Sequence, residues 1–484
     1  MPDQLFVGGK WSDGHADTAI EVTSPATGAV LGSIPTAAPA DVDAAVAAAR
    51  AAAPLLERMT PFERAGLCEN LAALIERDKH DLARSLTLEQ GKPLAEEALP
   101  EIEEAAENFA LAAEEGRRLE TAVLPSAEPS KKVFTVRKPV GVYAIVSPWN
   151  FPAAIPAELI GPAVAGGNPC ILKPSEYTPL IAARLVELAE EAGWPPGVIS
   201  LLPGGGDVGR ALVGHGGVDG IGFVGSADTA EAIVRAAGLK RTLLEASGNG
   251  PQIVLDDADV AAAAAAAVYG ARFVSGQCCV ATERVLCQRG VHDEFVSHVL
   301  AEADAIALGD PLDAATTMGP LNNAAVAAKM DRHLADAAER GVELLRSGGR
   351  GSGFPTELYY SMAVADVVGT DTLLFREESF GPVVPITVFD TDDEAVALAN
   401  DTDLGLQAAV FTSSLSRAFR FVDEVRAGTV VVNDSTASWE THPPFGGASG
   451  TRTGWGRIGG KYTLMDMTDL RTAVVDTSRT RDSV

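Results

Sequence analysis

The sequence predicts an α/β fold built on parallel, doubly wound sheets. Residues 131–250 alternate between short apolar runs rich in β-branched residues and helical stretches, and a second alternating block runs from residue 252 to about residue 445. Apolar strands separated by helices of roughly 10–15 residues are typical of parallel sheets with crossover connections. The 484 residues are 46% hydrophobic and 21% charged, which is ordinary for a folded protein and excludes wholesale disorder.

The elements follow in order along the chain. A helical region precedes the first block and includes an acidic helix over 94–116, whose glutamates we interpret as a solvated face. The first block predicts strands at 140–147, 169–173, 198–202 and 221–224, with helices at 180–192, 208–212 and 228–237. The second block predicts strands at 252–255, 283–288, 342–345, 383–389, 408–411 and 429–433.

Charge and cysteine content exclude several function classes. With 38 Lys+Arg against 66 Asp+Glu, the formal net charge of −28 argues against binding to nucleic acid or to anionic lipid. The longest apolar stretch, 261–270, is too short to span a membrane, and residues 1–20 carry three aspartates and no apolar run, so we expect no signal peptide. Five cysteines imply no disulfide framework, and we expect a cytoplasmic protein.

Two local motifs invite a chemical interpretation, but each is weak alone. Residues 204–209 fit the G-x-G-x-x-G spacing after a predicted strand. Cys278 and Cys279 follow Gly276 and Gln277, where a closely packed or turning backbone could present a thiol, although free cysteines are more often small buried residues. The sequence has no HExxH or CxxC motif, so we expect no metal site.

Seven short strings, taken together, are much more specific. In order they are Pro148-Trp149-Asn150-Phe151-Pro152, Lys173-Pro174-Ser175-Glu176, Phe223-Val224-Gly225-Ser226, Leu244-Glu245, Gly276-Gln277-Cys278-Cys279, Glu377-Glu378-Ser379-Phe380-Gly381-Pro382 and Pro444-Phe445-Gly446-Gly447. Their order and spacing resemble the NAD(P)-dependent aldehyde dehydrogenase superfamily over about residues 5–475. The segment 448–457 is somewhat closer to the benzaldehyde and vanillin dehydrogenase branch.

The resemblance implies an architecture with three parts. A Rossmann-like cofactor domain is expected over 1–120 and 141–249, an α/β catalytic domain over 250–449, and a small β oligomerisation element over 121–140 and 461–484. That bridging element would pair 121–140 with the stretch near 462–475. Such strand exchange implies a homodimer or a homotetramer.

The resemblance also implies the catalytic and cofactor residues. Cys279 would be the nucleophile, Glu245 the general base, and Asn150 a donor to the oxyanion. The cofactor-binding residues implied are Trp149, Lys173, Glu176, Gly225, Ser226, Glu378 and Phe380. We expect NAD rather than NADP, because a carboxylate at Glu176 would repel a 2′-phosphate, although NADP is possible.

The family's substrate tunnel maps onto a set of residues in this chain. They are Phe151, Ile155, Glu158, Cys278, Val280, Trp439, Thr441, His442 and Phe445. Succinate-semialdehyde dehydrogenases resemble this chain in general but carry an arginine where Glu158 stands. We therefore expect an aromatic, aliphatic or hydroxylated aldehyde, or an amino aldehyde with Glu158 and Trp439 as cation partners. The simpler interpretation of Glu158 is a charge paired with a local Arg or Lys.

Two alternatives to a hydrolytic dehydrogenase remain. An acylating enzyme would pass the acyl group to coenzyme A, but that branch usually lacks the residue corresponding to Glu245. A catalytically silent relative would serve a structural or binding role, and the presence of Cys279, Glu245 and Asn150 argues against it.

Overall fold

The structure, a computed structural model, describes residues 4–478. Residues 1–3 of the predicted cofactor domain and residues 479–484 of the predicted oligomerisation element lie outside the described residues. The strands, in chain order, are β1 (Leu5–Val7), β2 (Lys10–Ser12), β3 (Ala19–Thr23), β4 (Val30–Pro35), β5 (Val123–Leu124), β6 (Lys131–Pro139), β7 (Tyr143–Val146), β8 (Cys170–Lys173), β9 (Ile199–Leu201), β10 (Gly220–Gly225), β11 (Arg241–Ala246), β12 (Pro251–Val254), β13 (Arg284–Gln288), β14 (Glu343–Arg350), β15 (Tyr360–Asp366), β16 (Val383–Phe389), β17 (Gln407–Phe411), β18 (Thr429–Val432), β19 (Gly454–Trp455) and β20 (Thr468–Asp476). The α-helices are α1 (Pro39–Arg58), α2 (Pro61–Gln90), α3 (Leu99–Arg118), α4 (Ala154–Ala165), α5 (Pro179–Glu191), α6 (Gly206–Gly214), α7 (Ala227–Ala237), α8 (Val260–Arg272), α9 (His292–Asp304), α10 (Ala324–Glu339), α11 (Leu373–Arg376), α12 (Asp392–Asn400), α13 (Leu415–Glu424) and α14 (Gly460–Asp466).

The first large sheet has the strand order β19-β11-β10-β7-β8-β9-β1-β2. Its five central strands, β11 to β9, are parallel, and the outer strands β19, β1 and β2 pair antiparallel. Helices α2 to α5 pack on one face, and α1, α6 and α7 pack on the other. All four strands predicted in the first block are therefore confirmed as one doubly wound sheet.

The second large sheet has the order β14-β15-β16-β13-β12-β17-β18 and is parallel except at the β14 edge. Helices α8 and α9 cover one face, while α10, α12 and α13 cover the other. The six strands predicted in this block are all present. The sequence did not predict β11 or β15, and β11 is the strand that carries Glu245.

A third, small sheet joins the middle of the chain to its end. Strand β20 pairs antiparallel with β6 along its whole length, from Thr468 opposite Pro139 to Asp476 opposite Lys131, and β5 lies on the other side of β6. The pairing expected between 121–140 and the stretch near 462–475 is thus present, although the last segment opens with helix α14 before the strand begins.

The carboxyl ends of the first sheet gather several of the predicted site residues. Lys173 ends β8, Gly225 ends β10, Glu245 lies next to the last residue of β11, and Asn150 follows β7 by four residues. Ligands of open parallel sheets bind at this edge. Within residues 4–478, no helix is long and apolar enough to cross a membrane.

Candidate active site

Two cavities meet at the side chain of Cys279. The first has a volume of about 310 Å³ and the second of about 490 Å³. Three lining residues belong to both: Val224, Glu245 and Cys279. A thiol at such a junction can contact one ligand on each side.

The loop that carries Cys279 has an unusual backbone. After α8, Val274, Ser275 and Gly276 adopt consecutive left-handed conformations, with φ of 50°, 56° and 76°. A Cβ on Gly276 would lie 2.3 Å from the carbonyl of Gly381, so the close approach of these two segments requires glycine. The sequence prediction of a turning, closely packed backbone before the cysteine pair is confirmed.

The two cysteines face different surroundings. Cys278 is 2% exposed and borders only the second cavity, whereas Cys279 is partly exposed and borders both cavities. A hydrogen bond with Cys278, burial and the nearby charge of Glu245 together raise the pKa of the Cys279 thiol well above its ordinary value. The resting thiol is therefore neutral and needs a base to become a nucleophile.

The Glu245 carboxyl borders both cavities together with that thiol. Its Oε1 atom is buried and has no hydrogen-bond partner in the described part of the chain. Burial and the charge of Glu378 raise the pKa of Glu245 to about 8. A carboxyl group with a pKa this close to neutrality can take up and release a proton during turnover.

Asn150 is held rigidly beside the cysteine loop. Its side-chain amide donates a hydrogen bond of 2.9 Å to the carbonyl of Gln277, and its own backbone carbonyl accepts one of 2.8 Å from the Lys92 ammonium. Lys92 and Glu101 form a fully buried ion pair, with 2.5 Å between the ammonium and a carboxylate oxygen. The other oxygen of Glu101 accepts the backbone N–H of Ala153. Asn150 borders the first cavity together with Cys279 and Glu245.

The first cavity also contains five of the seven residues that the resemblance assigned to the cofactor. Those that line it are Trp149, Gly225, Ser226, Glu378 and Phe380. Glu378 accepts the backbone N–H of Gly248 at 2.8 Å, and the rings of Trp149 and Phe380 meet edge to face with centroids 5.5 Å apart. The cavity walls are thus fixed on both sides by contacts within the protein.

Lys173 and Glu176 do not line this cavity, although the neighbouring residue Tyr177 does. The Lys173 ammonium is 3.6 Å from the Glu176 carboxylate, and the Glu176 side chain is 44% exposed. The glycine-rich run 204–209, within which α6 begins at Gly206, does not line the cavity either. Conversely, sequence reasoning missed Tyr177, Asn323 and Lys329, which do line the cavity. Asn323 precedes α10 directly and Lys329 lies within that helix, and neither belongs to a sequence motif that would indicate a binding site.

The second cavity is lined by most of the predicted tunnel residues. Phe151, Ile155, Glu158, Cys278, Val280, Trp439 and Phe445 all border it. Sequence reasoning missed Glu104, Tyr269, Phe273 and Ser438, which also border it. Thr441 and His442 line an adjoining outer cavity of about 520 Å³, where the Thr441 hydroxyl donates a hydrogen bond to Glu107, and their place in the substrate tunnel stays a prediction.

The acidic helix is solvated on only one of its faces, where Glu96, Glu103 and Glu107 are exposed as we expected. Glu97 and Glu101 are buried, and Glu104 is half-buried against the second cavity. The expectation failed for these three because α3 packs between α2 and α4, so the face bearing these side chains turns inward. The simpler interpretation of Glu158 was also wrong, since no ion pair among residues 4–478 includes it.

The chain belongs to the aldehyde dehydrogenase family, whose model matches residues 11–473. Glutarate-semialdehyde dehydrogenase of Pseudomonas aeruginosa is 36% identical over 471 residues, which cover 97% of this chain and 96% of the relative. The NADP(+) succinate-semialdehyde dehydrogenase GabD of Escherichia coli is 37% identical over the same shares of the two chains. The family and the NAD(P)-dependent oxidoreductase class predicted from the sequence are confirmed.

Solved structures agree with the whole fold. An NAD-dependent aldehyde dehydrogenase from Sinorhizobium meliloti has a TM-score of 0.94 and 37% identity, covering 99% of this chain and 96% of that one. An E. coli NADP-dependent enzyme has a TM-score of 0.95 and 36% identity, covering 98% of each chain. The predicted fold class, with a Rossmann-like cofactor domain and an α/β catalytic domain, is thereby confirmed.

The positions of the two cysteines lead to a first prediction. Cys279→Ala should abolish aldehyde-dependent reduction of NAD(P), because Cys279 alone of the pair borders both cavities. Cys278→Ala is the matched control and should keep most of the activity. The measurement is NADH or NADPH absorbance with purified variants. An inactive Cys278→Ala beside an active Cys279→Ala would contradict the assignment.

Proposed function

We propose that this enzyme oxidises an aldehyde to the carboxylate through a covalent intermediate on Cys279, which is released by hydrolysis. The observation that carries the proposal is the junction at which the Cys279 thiol, the Glu245 carboxyl and the Asn150 amide border one cavity. This junction provides a nucleophile, a base and a hydrogen-bond donor, the three groups that acyl transfer through a thioester needs.

The first step is addition of the Cys279 sulfur to the aldehyde carbon. Glu245 takes the thiol proton, a carbon–sulfur bond forms, and the carbonyl oxygen becomes the oxyanion of a thiohemiacetal. The Asn150 side-chain amide donates a hydrogen bond to that oxyanion. Its geometry is fixed in advance by Gln277 and by the Lys92–Glu101 pair, so little reorganisation accompanies the charge.

The first cavity fits a nicotinamide cofactor. It lies at the carboxyl ends of parallel strands, where dinucleotides bind in open sheets, and it adjoins the thiol. Trp149, Gly225, Ser226, Glu378 and Phe380 would hold the group. When bound, the cofactor supplies the hydride acceptor that converts the thiohemiacetal into a thioester.

Glu245 then acts a second time. It first releases the thiol proton to solvent and then removes a proton from water as the water oxygen attacks the thioester carbon. The carbon–sulfur bond breaks, the acid proton of the product passes to the sulfur, and the carboxylate leaves a thiol on Cys279. This second role favours water over coenzyme A as the acyl acceptor. The three reactive groups together argue against a catalytically silent relative.

We infer that the enzyme works in the cytoplasm as a homo-oligomer. The odd number of cysteines, all of them free, suits a reducing compartment. The small sheet supports assembly, because Val123 on β5 and Leu470 and Val474 on β20 are more than half exposed on its two edge strands. Exposed apolar residues on strand edges favour pairing with a second copy, and two such pairs would give a homotetramer.

The two roles of Glu245 lead to a second prediction. The wild type should form NADH from a panel of aldehydes without coenzyme A, and Glu245→Gln should show a burst of about one NADH per site followed by slow turnover, because reduction precedes hydrolysis. Since the pKa of Glu245 is about 8, wild-type turnover limited by hydrolysis should rise with pH and level off above that value.

The matched control for this prediction is another buried carboxyl near the site. Glu283→Gln removes a carboxyl whose pKa burial also raises to about 8 but which borders neither cavity. That variant should form NADH at a steady rate, without an initial burst of about one NADH per site. Loss of the burst in Glu245→Gln would contradict the two-step role, and a strict requirement for coenzyme A would contradict hydrolysis.

The acidic residue after β8 leads to a third prediction, a preference for NAD over NADP. A carboxylate at Glu176 can accept hydrogen bonds from ribose hydroxyls but repels a 2′-phosphate. We expect a higher kcat/KM with NAD in the wild type, and about a tenfold gain in NADP use in Glu176→Ala. Glu187→Ala, on the neighbouring helix, is the control and should leave the ratio unchanged. A wild-type preference for NADP would refute the prediction.

A further inference from the structure

We propose that the second cavity selects aldehydes that carry a protonated primary amine, whose ammonium group is bound by Glu158 and Glu104. The proposal rests on the aldehyde oxidation proposed above and names the substrate class of that same site. It follows from charges and contacts in the cavity wall.

The cavity is lined by acidic groups with no matching cation. Among its described lining residues there is no Lys, Arg or His, while Glu104 comes from α3 and Glu158 from α4. Glu96, at the rim, is paired with Arg272 at 3.2 Å, and Asp434 accepts the backbone N–H of Ser435. Glu245 also lines this cavity and is assigned above to the chemistry at Cys279, so Glu104 and Glu158 are the carboxyls left for a ligand.

Glu158 has the strongest need for a partner. Its side chain is 5% exposed, its Oε1 atom is buried without a hydrogen-bond donor among residues 4–478, and it takes part in no ion pair there. A buried carboxyl without a partner is costly, and an N–H donor with a positive charge removes that cost most completely. A primary ammonium offers such donors, whereas a trimethylammonium group does not.

Glu104 is positioned to share the same ligand. It accepts a hydrogen bond of 2.9 Å from the Trp439 indole, which fixes its carboxyl against the cavity. The charges of Glu104 and Glu245 add to burial in raising the pKa of Glu158, so Glu104 and Glu158 lie within electrostatic range of each other. Lys92 forms its ion pair with Glu101, and its charge also reaches Glu104, but among the described residues no cation counters the effect of burial on Glu158.

Aromatic rings complete a wall suited to a short cationic chain. The Trp439 and Phe445 rings meet edge to face with centroids 4.6 Å apart, and Phe273 contacts both Phe151 and Tyr269 at 5.8 and 5.6 Å. All five residues border the cavity. Such rings pack against methylene groups and attract a cation placed over their faces.

The outer cavity extends the same charge toward solvent. It shares Pro100, Glu104 and Trp439 with the second cavity and adds Glu103, Glu107 and Glu440, with His442 beside Glu440. A passage lined by one sign of charge concentrates ligands of the opposite sign and disfavours those of the same sign. An aldehyde with a distal carboxylate would meet like charge along this whole route.

The test compares aldehydes matched in shape. kcat/KM is measured for 3-aminopropanal, for its neutral isostere butanal, and for succinate semialdehyde, on the wild-type enzyme. We expect the amino aldehyde to exceed butanal by at least about tenfold, mainly through KM. Succinate semialdehyde should fall below butanal. A higher value for butanal or for succinate semialdehyde than for the amino aldehyde would overturn the proposal while leaving aldehyde oxidation intact.

Variants assign the effect to the two carboxyls. Glu158→Gln keeps the shape and removes the charge, so the ratio of amino to neutral aldehyde should fall at least about tenfold, and Glu104→Gln should lower it in the same direction. Glu114→Gln, on an exposed turn of the same helix as Glu104, is the control and should leave the ratio unchanged. An unchanged ratio in both cavity variants would overturn the assignment.

A binding measurement separates this proposal from the catalytic one. Calorimetry with 3-aminopropan-1-ol, which cannot form a thiohemiacetal, should detect binding to the wild type and at least about tenfold weaker binding to Glu158→Gln. Butan-1-ol should bind more weakly than the amino alcohol to the wild type. Binding without turnover of any aldehyde would refute the proposed function alone, whereas equal binding of the two alcohols would refute the ammonium site.

Discussion

One face of the acidic helix holds the active site together through buried carboxylates. Glu97, Glu101 and Glu104 recur at spacings of four and three residues, which places them on the same side of the helix. Glu97 accepts the backbone N–H of Val274 in the cysteine loop, Glu101 accepts that of Ala153 beyond Asn150, and Glu104 binds Trp439. Three chain segments distant in sequence therefore take their positions from one helix.

These carboxylates accept hydrogen bonds from backbone N–H groups in irregular segments, where no helix or sheet provides a partner. The loops bearing Cys279 and Asn150 expose backbone amides inside the protein, where an unpaired N–H is costly. A carboxylate can accept two such bonds at once, and Glu283 does so for Ser379 and Phe380 beside the first cavity. Burial raises the pKa of Glu97 to about 7 and that of Glu283 to about 8, so these supports lie where water is excluded.

The sequence was sufficient to predict the fold class, and the structure brings the motif residues Asn150, Glu245 and Cys279 to one cavity, while their catalytic roles stay predictions. Strands such as β7 and β10 are apolar, short and bounded by breakers, so their periodicity indicates them directly. The buried glutamates of the acidic helix were not predicted, because the sequence does not show whether a glutamate carboxylate will be hydrated or will accept hydrogen bonds from buried backbone amides. Lys329 and Glu104 could not be found, since each reaches its cavity from the middle of a helix and only packing decides which way it points. Strand β11 was missed because Glu245 interrupts its apolar run.

The junction at Cys279 also bears on how such an enzyme can diversify. The two cavities have three lining residues in common, Val224, Glu245 and Cys279, whereas α4 and the segment near Trp439 line the second cavity and not the first. Substitutions at Glu104, on the cavity-facing side of α4 or in the segment near Trp439 can therefore alter the second cavity while the residues that line only the first cavity stay unchanged. Substitutions that change aldehyde specificity can therefore accumulate in the second cavity while the residues lining the first cavity are conserved. The two cavities can thus evolve independently of each other.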